Sequence, residues 1–219
     1  MSLTEAPAVT VEDGSPPRRR PRWQGVVRWF GYLCLMAAAG FGGYFGWLLW
    51  GTGLETKRAQ ESLRVGFEEI VGSRPPAEAE GAIRLPGQAY AQLQIPAIDV
   101  DLIVVEGTDY ATLKKGPGHY PTTADPWDPN GRVGIAGHRT TYLHPFAGLD
   151  QLKVGDEITL RTEYGVFTYE VTNNFVIPSA GSGRVLTQTQ RPTLVLTTCH
   201  PKYSSAERLI VTASLVDAQ

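Results

Sequence analysis

The sequence predicts an all-β domain, a barrel or sandwich of six to eight short strands with short helices, set behind a single transmembrane helix. Three observations carry this expectation. From Trp29 to Trp50 twenty-two residues run without one charged side chain. From about Tyr90 onward, short alternating or β-branched runs are divided by turn residues. Between these regions lies a Pro-rich stretch, Ser73 to Gly87, with the composition of a linker.

A helix of twenty-two residues rises about 33 Å, enough to cross a hydrocarbon core. Aromatic residues gather at both ends of the run (Trp29, Phe30, Tyr32; Trp47, Trp50), where rings sit at headgroup level. Five arginines precede or open it (18, 19, 20, 22 and 28) against Glu5, Glu12 and Asp13, leaving +2 before residue 29. That bias predicts a cytoplasmic amino terminus and export of the chain beyond the run. A cleaved signal peptide or a buried core helix is the alternative, but the run exceeds a usual signal core and Gly51-Thr-Gly53 is a weak cleavage site. Residues 1–28, rich in Pro, Ala, Glu and Arg and without apolar periodicity, read as a disordered cytoplasmic tail. Residues 29–50 read as the anchor.

After the anchor, Leu54 to Val71 places Leu63, Phe67 and Ile70 or Val71 at helical spacing, a juxtamembrane helix weakly broken by Gly66. With the linker it fills residues 51–87. The expected strands are Ala91–Ile95, Asp101–Val105, Arg132–Gly137, Glu157–Thr162, Val166–Asn173, Thr193–Thr198 and Leu209–Val216. Gly116-Pro-Gly118, Asp128-Pro-Asn-Gly131, Tyr164-Gly165 and Ala180-Gly-Ser-Gly183 separate them, with short helical turns at Tyr110–Lys115 and Pro145–Leu152. At 219 residues the chain has room for one core of ordinary size, here residues 88–219. A net charge of −2 gives no reason to expect a nucleic-acid partner.

The two cysteines cannot pair on this layout, since Cys34 falls in lipid and Cys199 outside. An exported protein with one outer thiol is not using it as a disulfide staple. A free cysteine is commonly a small buried hydrophobe, yet Cys199 ends a strand that His200-Pro201 stops, next to a loop. If that strand and the next form an antiparallel hairpin across Lys202–Glu207, Cys199 faces Arg208. A permanently charged guanidinium there can favour a thiolate and stabilise an oxyanion. His138, after the strand-like Val133-Gly-Ile-Ala-Gly137, titrates in the range needed to exchange a proton with an amine. Sixty-one residues separate it from Cys199, so spacing alone does not bring them together.

Together these residues resemble the sortase family. Thr197-Thr198-Cys199 fits its cysteine signature, Arg208 its arginine nine residues later, and Gly137-His138 its histidine motif, over roughly residues 88–217. Gly116-Pro-Gly-His-Tyr120, Ala136-Gly-His-Arg-Thr-Thr-Tyr142 and Leu196-Thr-Thr-Cys-His-Pro-Lys-Tyr203 are most similar to class E sortases of actinobacteria. The resemblance implies an eight-stranded sortase-type β-barrel and a cysteine transpeptidase needing no cofactor. It implies secreted proteins with a carboxy-terminal sorting signal (Leu-Ala-x-Thr-Gly) as substrates and a peptidoglycan precursor amine as acceptor. Cys199, His138 and Arg208 would be catalytic. Tyr120, Thr197 and Thr198 would bind substrate, with loop filling or local orientation as their plainer roles. His119, His144 and His200 are read as local hydrogen-bonding groups, with substrate contact as the alternative.

A pilus-assembling class C-like sortase and a cell-wall cysteine peptidase are the rival readings. Asp125-Pro-Trp127 is similar to the class C lid, but it comes after strands instead of preceding them and reads as a turn. Asp125, Asp128 and Asn130 have oxygen ligands at a spacing that calcium could use, though in a Pro-rich loop they too read as a turn, and no metal is expected.

Overall fold

The computed structural model describes residues 23–47, 51–75 and 84–219. The expectations for residues 1–22, 48–50 and 76–83 lie outside it. The chain divides into two compact units, residues 1–44 and 45–219.

The first unit contributes most of α1 (Trp23–Gly46). Within it Gly25–Gly46 is long and apolar enough to cross a membrane, with a mean hydropathy of 1.3 and none of that window buried. The helix begins six residues before the uncharged run, through Val26, Val27 and Arg28.

The second unit is a closed barrel of eight strands: β1 (Ala89–Ile95), β2 (Val100–Glu106), β3 (Gly118–His119), β4 (Arg132–Ala136), β5 (Glu157–Thr162), β6 (Gly165–Pro178), β7 (Thr193–His200) and β8 (Glu207–Ala218). Around the barrel they run β1-β2-β3-β4-β7-β8-β6-β5, and β5 closes on β1. The pairs β2/β3 and β4/β7 are parallel and the other pairs antiparallel. Alternate residues point into one core that includes Leu93, Ile95, Val104, Ile135, Leu160, Leu194, Leu196 and Val211, with Phe146 and Leu149 closing it from a loop.

The barrel departs from the residue pattern in two places. Gly116-Pro-Gly118 reads as a turn, yet Gly118-His119 forms β3, the short link between β2 and β4. Two residues are too few for a visible alternation, and Gly118 is needed because a Cβ would strike the Gly107 carbonyl oxygen. β6 and β8 also run longer than expected. Their pairing continues from Phe167–Ala218 to Pro178–Glu207 across register shifts at Thr168/Tyr169 and Val171/Asn173, which break the two-residue period.

Helix α2 (Thr52–Glu68) lies on the barrel, and Gly66 does not interrupt it. Its buried side chains are Thr52, Thr56, Gln60 and Phe67, so most of its inner face is polar. The amide of Gln60 donates to the carbonyls of Ile103 and Lys115, both at 2.8 Å, and its oxygen accepts from the Ile103 N–H at 2.7 Å. Since β2 meets β3 only at Val105 and Glu106, the β2 backbone before them has no strand neighbour on that side. Gln60 supplies the missing bonds. Thr56 adds a bond to the Lys114 carbonyl at 2.7 Å, and Arg64 pairs with Asp101 at 3.1 Å.

The Asp125–Asn130 segment is a turn bound into the fold. Both Asp125 oxygens accept from Arg84 at 2.8 Å, one also from the Tyr90 hydroxyl at 2.7 Å, and Asp128 accepts from the Asp125 N–H at 2.8 Å. Trp127 packs between Tyr90 and Tyr164 with the Arg84 guanidinium 4.8 Å from its ring.

Candidate active site

The site forms where the parallel strands β4 and β7 end together. Their register pairs Ala136 with Thr197, and the Gly137 N–H continues the ladder to the Thr197 carbonyl at 3.1 Å. Extending it by two residues carries His138 alongside Cys199, so barrel closure spans the sixty-one residues between them. Both side chains line one cavity with Thr140, Thr141 and Ser205.

On the other side of β7, β8 runs antiparallel, and Cys199 pairs directly with Arg208. Directly paired residues share a face. Leu196, Val211 and Leu209 fill the core, so alternation puts Thr197, Cys199 and Arg208 on the outer face. The thiol of Cys199 is free and half-buried. One terminal nitrogen of Arg208 donates to the carbonyls of Ser205 and Glu207, each at 3.0 Å, which fixes the guanidinium plane beside the thiol's strand. Its other nitrogens make no hydrogen bond among the described residues.

His138 is half-buried, and its Nε2 is buried without a hydrogen-bond partner. Burial holds this imidazole below the ordinary histidine value. The Tyr142 ring lies 4.9 Å from it, tilted by 40°. Tyr142 shares a 3.0 Å hydroxyl–hydroxyl bond with Tyr110, and burial together with that bond pushes its phenol up to about 12. Tyr142, Leu143 and His144 all have positive φ (52°, 62° and 39°), a conformation that non-glycine residues hold only when their surroundings impose it. Gly137 has no room for a side chain, since a Cβ would lie 2.5 Å from the buried Phe146 ring.

The burial of His138 has a consequence for stability. The folded protein prefers the neutral ring, so the unfolded chain takes up the proton first as pH falls. The stabilisation is complete above about 6.5, the unfolded histidine value, and is lost as pH falls through the lower folded value. Thermal melts from pH 7.5 to 5 are expected to show a steeper fall in Tm for wild type than for His138→Gln. Parallel curves would contradict this.

The other expected residues sort by burial. Tyr120 is half-exposed, and its hydroxyl lies 3.0 Å from that of Thr197 on the outer face. Its ring covers Gly134, where a Cβ would come within 3.0 Å of it. Thr198 is 3% exposed and points inward, its hydroxyl donating to the Gly137 carbonyl at 2.7 Å. His119 is 1% exposed, held by Glu106 at 3.1 Å and by the Thr123 hydroxyl at 3.1 Å, and stacked on Tyr90. His200 accepts from Arg139 at 2.9 Å through Nδ1. Nothing in the residue pattern singles out Arg139 itself, beyond a charge inside a run of small and β-branched residues. It is 4% exposed, bonds the Cys199 carbonyl at 3.4 Å and pairs with Asp150 at 3.0 Å.

A half-buried thiol at a strand end, a fixed cation opposite it and an imidazole with an unengaged nitrogen are the parts that acyl transfer through a thioester requires. Residues 93–216, which contain every residue of this site, match the sortase domain family. Sortase D of Bacillus subtilis (strain 168) is 39% identical over 115 residues, 52% of this chain and 56% of its own length. Sortase SrtE1 of Streptomyces coelicolor is 32% identical over 160 residues, 67% of this chain and 44% of its own length. The chain thus spans about half the length of these curated relatives. The crystal structure of Sortase E1 from Streptomyces coelicolor, with a tripeptide in its active site, superposes with a TM-score of 0.57 at 31% identity, covering 63% of this chain and 93% of that one. From the barrel, the paired strand ends and these matches it follows that the chain belongs to the sortase family.

Proposed function

We propose that this protein is a membrane-anchored cysteine transpeptidase that cleaves a carboxy-terminal sorting signal of secreted proteins and passes the acyl group to an amine of peptidoglycan. The observation that carries the reading is the register of β7, which sets Cys199 opposite Arg208 and carries it alongside His138 at the adjoining end of β4. Cys199 passes its thiol proton to the neutral His138 and the thiolate so formed attacks the carbonyl of the Thr–Gly bond, and the tetrahedral oxyanion is held by Arg208. As the C–N bond breaks, protonated His138 gives its proton to the departing glycine amine, leaving a thioester on Cys199. The acceptor amine then attacks the thioester and yields a proton to His138, and the thiolate leaves. No metal or cofactor enters these steps.

Tyr120 and Thr197 share the outer face with the thiol and form the second part of the reading. Their hydroxyl pair at 3.0 Å supports a role in choosing the residue at the signal's second position, with Leu-Ala-x-Thr-Gly preferred over Leu-Pro-x-Thr-Gly. Thr198, buried and bonded to Gly137, supports the strand ends instead of touching substrate. The apolar α1 supports anchoring, and the five arginines before and at the start of the uncharged run support a cytoplasmic amino terminus with the barrel outside.

The test is incubation of the full chain in detergent with a Leu-Ala-x-Thr-Gly peptide and an amine, read by product mass and by intact-protein mass for an acyl adduct on Cys199. Absence of both cleavage and adduct would sink the reading. In the same assay Tyr120→Phe is expected to reduce the Ala-over-Pro preference about tenfold, the equivalent of one hydrogen bond. An unchanged ratio removes Tyr120 from selection.

A further inference from the structure

We propose that Arg139 is a positioning residue that sets the spacing between Cys199 and His138, working with Thr198 as a reciprocal pair of straps. The inference rests on the transpeptidase reading above.

The strand ladder between β4 and β7 ends at the bond from the Gly137 N–H to the Thr197 carbonyl. Past it no further backbone hydrogen bond joins the two strands among the described residues, and the His138 carbonyl is taken by the Phe146 N–H at 3.1 Å. Backbone pairing therefore stops just before the two residues whose separation matters. Side chains take over. Thr198, next to Cys199, donates to the Gly137 carbonyl, next to His138, at 2.7 Å. Arg139, on the other side of His138, reaches back to the Cys199 carbonyl at 3.4 Å and to His200 Nδ1 at 2.9 Å. Each residue flanking one reacting group thus grips the backbone beside the other.

Arg139 is fixed at its far side by Asp150, in the 3-10 turn Leu149–Gln151, at 3.0 Å. The arrangement is costly. A charged group 4% exposed is satisfied by a carboxylate that is itself 45% exposed, and its Nε is buried without a partner. A buried ion pair replaced by apolar side chains of similar volume is commonly neutral or stabilising. Stability alone would be served as well by an aliphatic side chain. A planar fork that bonds three groups on two separate segments at once gives fixed geometry instead.

The test uses the full chain in detergent with Arg139→Met, Arg139→Lys and Asp150→Asn, each measured for kcat and KM of peptide acylation, Tm, and the rate at which iodoacetamide alkylates Cys199. Arg139→Met is expected to lower kcat roughly 10- to 100-fold, the scale of a small misplacement of reacting groups. KM, Tm and the alkylation rate should stay close to wild type. Arg139→Lys should recover part of the loss. Arg139→Met with kcat within threefold of wild type overturns the proposal. So does a parallel fall in alkylation, which would make the arginine a modulator of thiol ionisation. If Arg139→Met does not fold, Asp150→Asn decides: a kcat lowered at least threefold at unchanged KM supports positioning, and an unchanged kcat overturns it. A wild-type chain that never acylates overturns the transpeptidase reading and this inference together. Wild type and Arg139→Met acylating equally well overturn this inference alone.

Discussion

Replacing Cys199 with alanine is expected to lower kcat/KM by at least about 10⁴-fold, the scale seen when a covalent nucleophile is removed, while Tm moves by only a few degrees. The two effects separate because of where the side chain sits. Cys199 faces outward from a strand whose inward neighbours, Leu196 and the Leu209 and Val211 of β8, make the core contacts. Removing one half-buried sulfur leaves those contacts in place. The other described thiol, Cys34, lies in α1. Cys199→Ser is the sharper comparison. It preserves shape and hydrogen bonding, but its hydroxyl ionises far less readily beside Arg208, so activity should stay near the alanine level. Peptide cleavage by product mass, with intact-protein mass for the adduct, checks both. Turnover by Cys199→Ala above a hundredth of wild type would place the nucleophile elsewhere.

The second large effect concerns stability. Gln60→Ala is expected to destabilise the barrel unit by about 3 kcal/mol, since it strands the buried N–H and carbonyl of Ile103 and removes a part-buried bond to the Lys115 carbonyl. For a unit of this size that corresponds to a fall in Tm of about 10 °C. Gln60→Glu should do no better, because its carboxylate keeps the bond from the Ile103 N–H but sets negative charge against two carbonyl oxygens. Hydrogen exchange locates the effect: amides 101–104 should lose protection in both variants while those of β7 and β8 keep theirs. An unchanged Tm would mean that the Gln60 bonds contribute nothing to the barrel.

Much of this fold is legible in the residues. Uncharged length marks α1, and the β-branched runs bounded by Gly and Pro mark most strands. The hairpin across Lys202–Glu207 is enough to anticipate the pairing of Cys199 with Arg208, because antiparallel register follows from one short connection. His138 is different. Its approach to Cys199 depends on parallel pairing of strands sixty-one residues apart, which no local pattern encodes. The docking of α2 is hidden for another reason. Periodicity picks out Phe67, which is buried, but the helix also seats itself through Thr56 and Gln60, polar residues that look solvent-facing until an unpaired strand edge is set in front of them. Arg139 escapes notice because its partners, Cys199, His200 and Asp150, come from segments far apart in sequence.

The order of strands around the barrel also bears on when the chemistry can begin. β7 is flanked by β4 on one side and β8 on the other, so the thiol acquires its imidazole and its guanidinium from opposite neighbours. β8 is the final strand in chain order. Cys199 and Arg208 are nine residues apart and meet through one short connection, whereas Cys199 and His138 are sixty-one apart and meet only once a large loop has closed. A chain made from its amino terminus carries Cys199 without its Arg208 partner until Glu207–Ala218 has been synthesised and paired between β6 and β7.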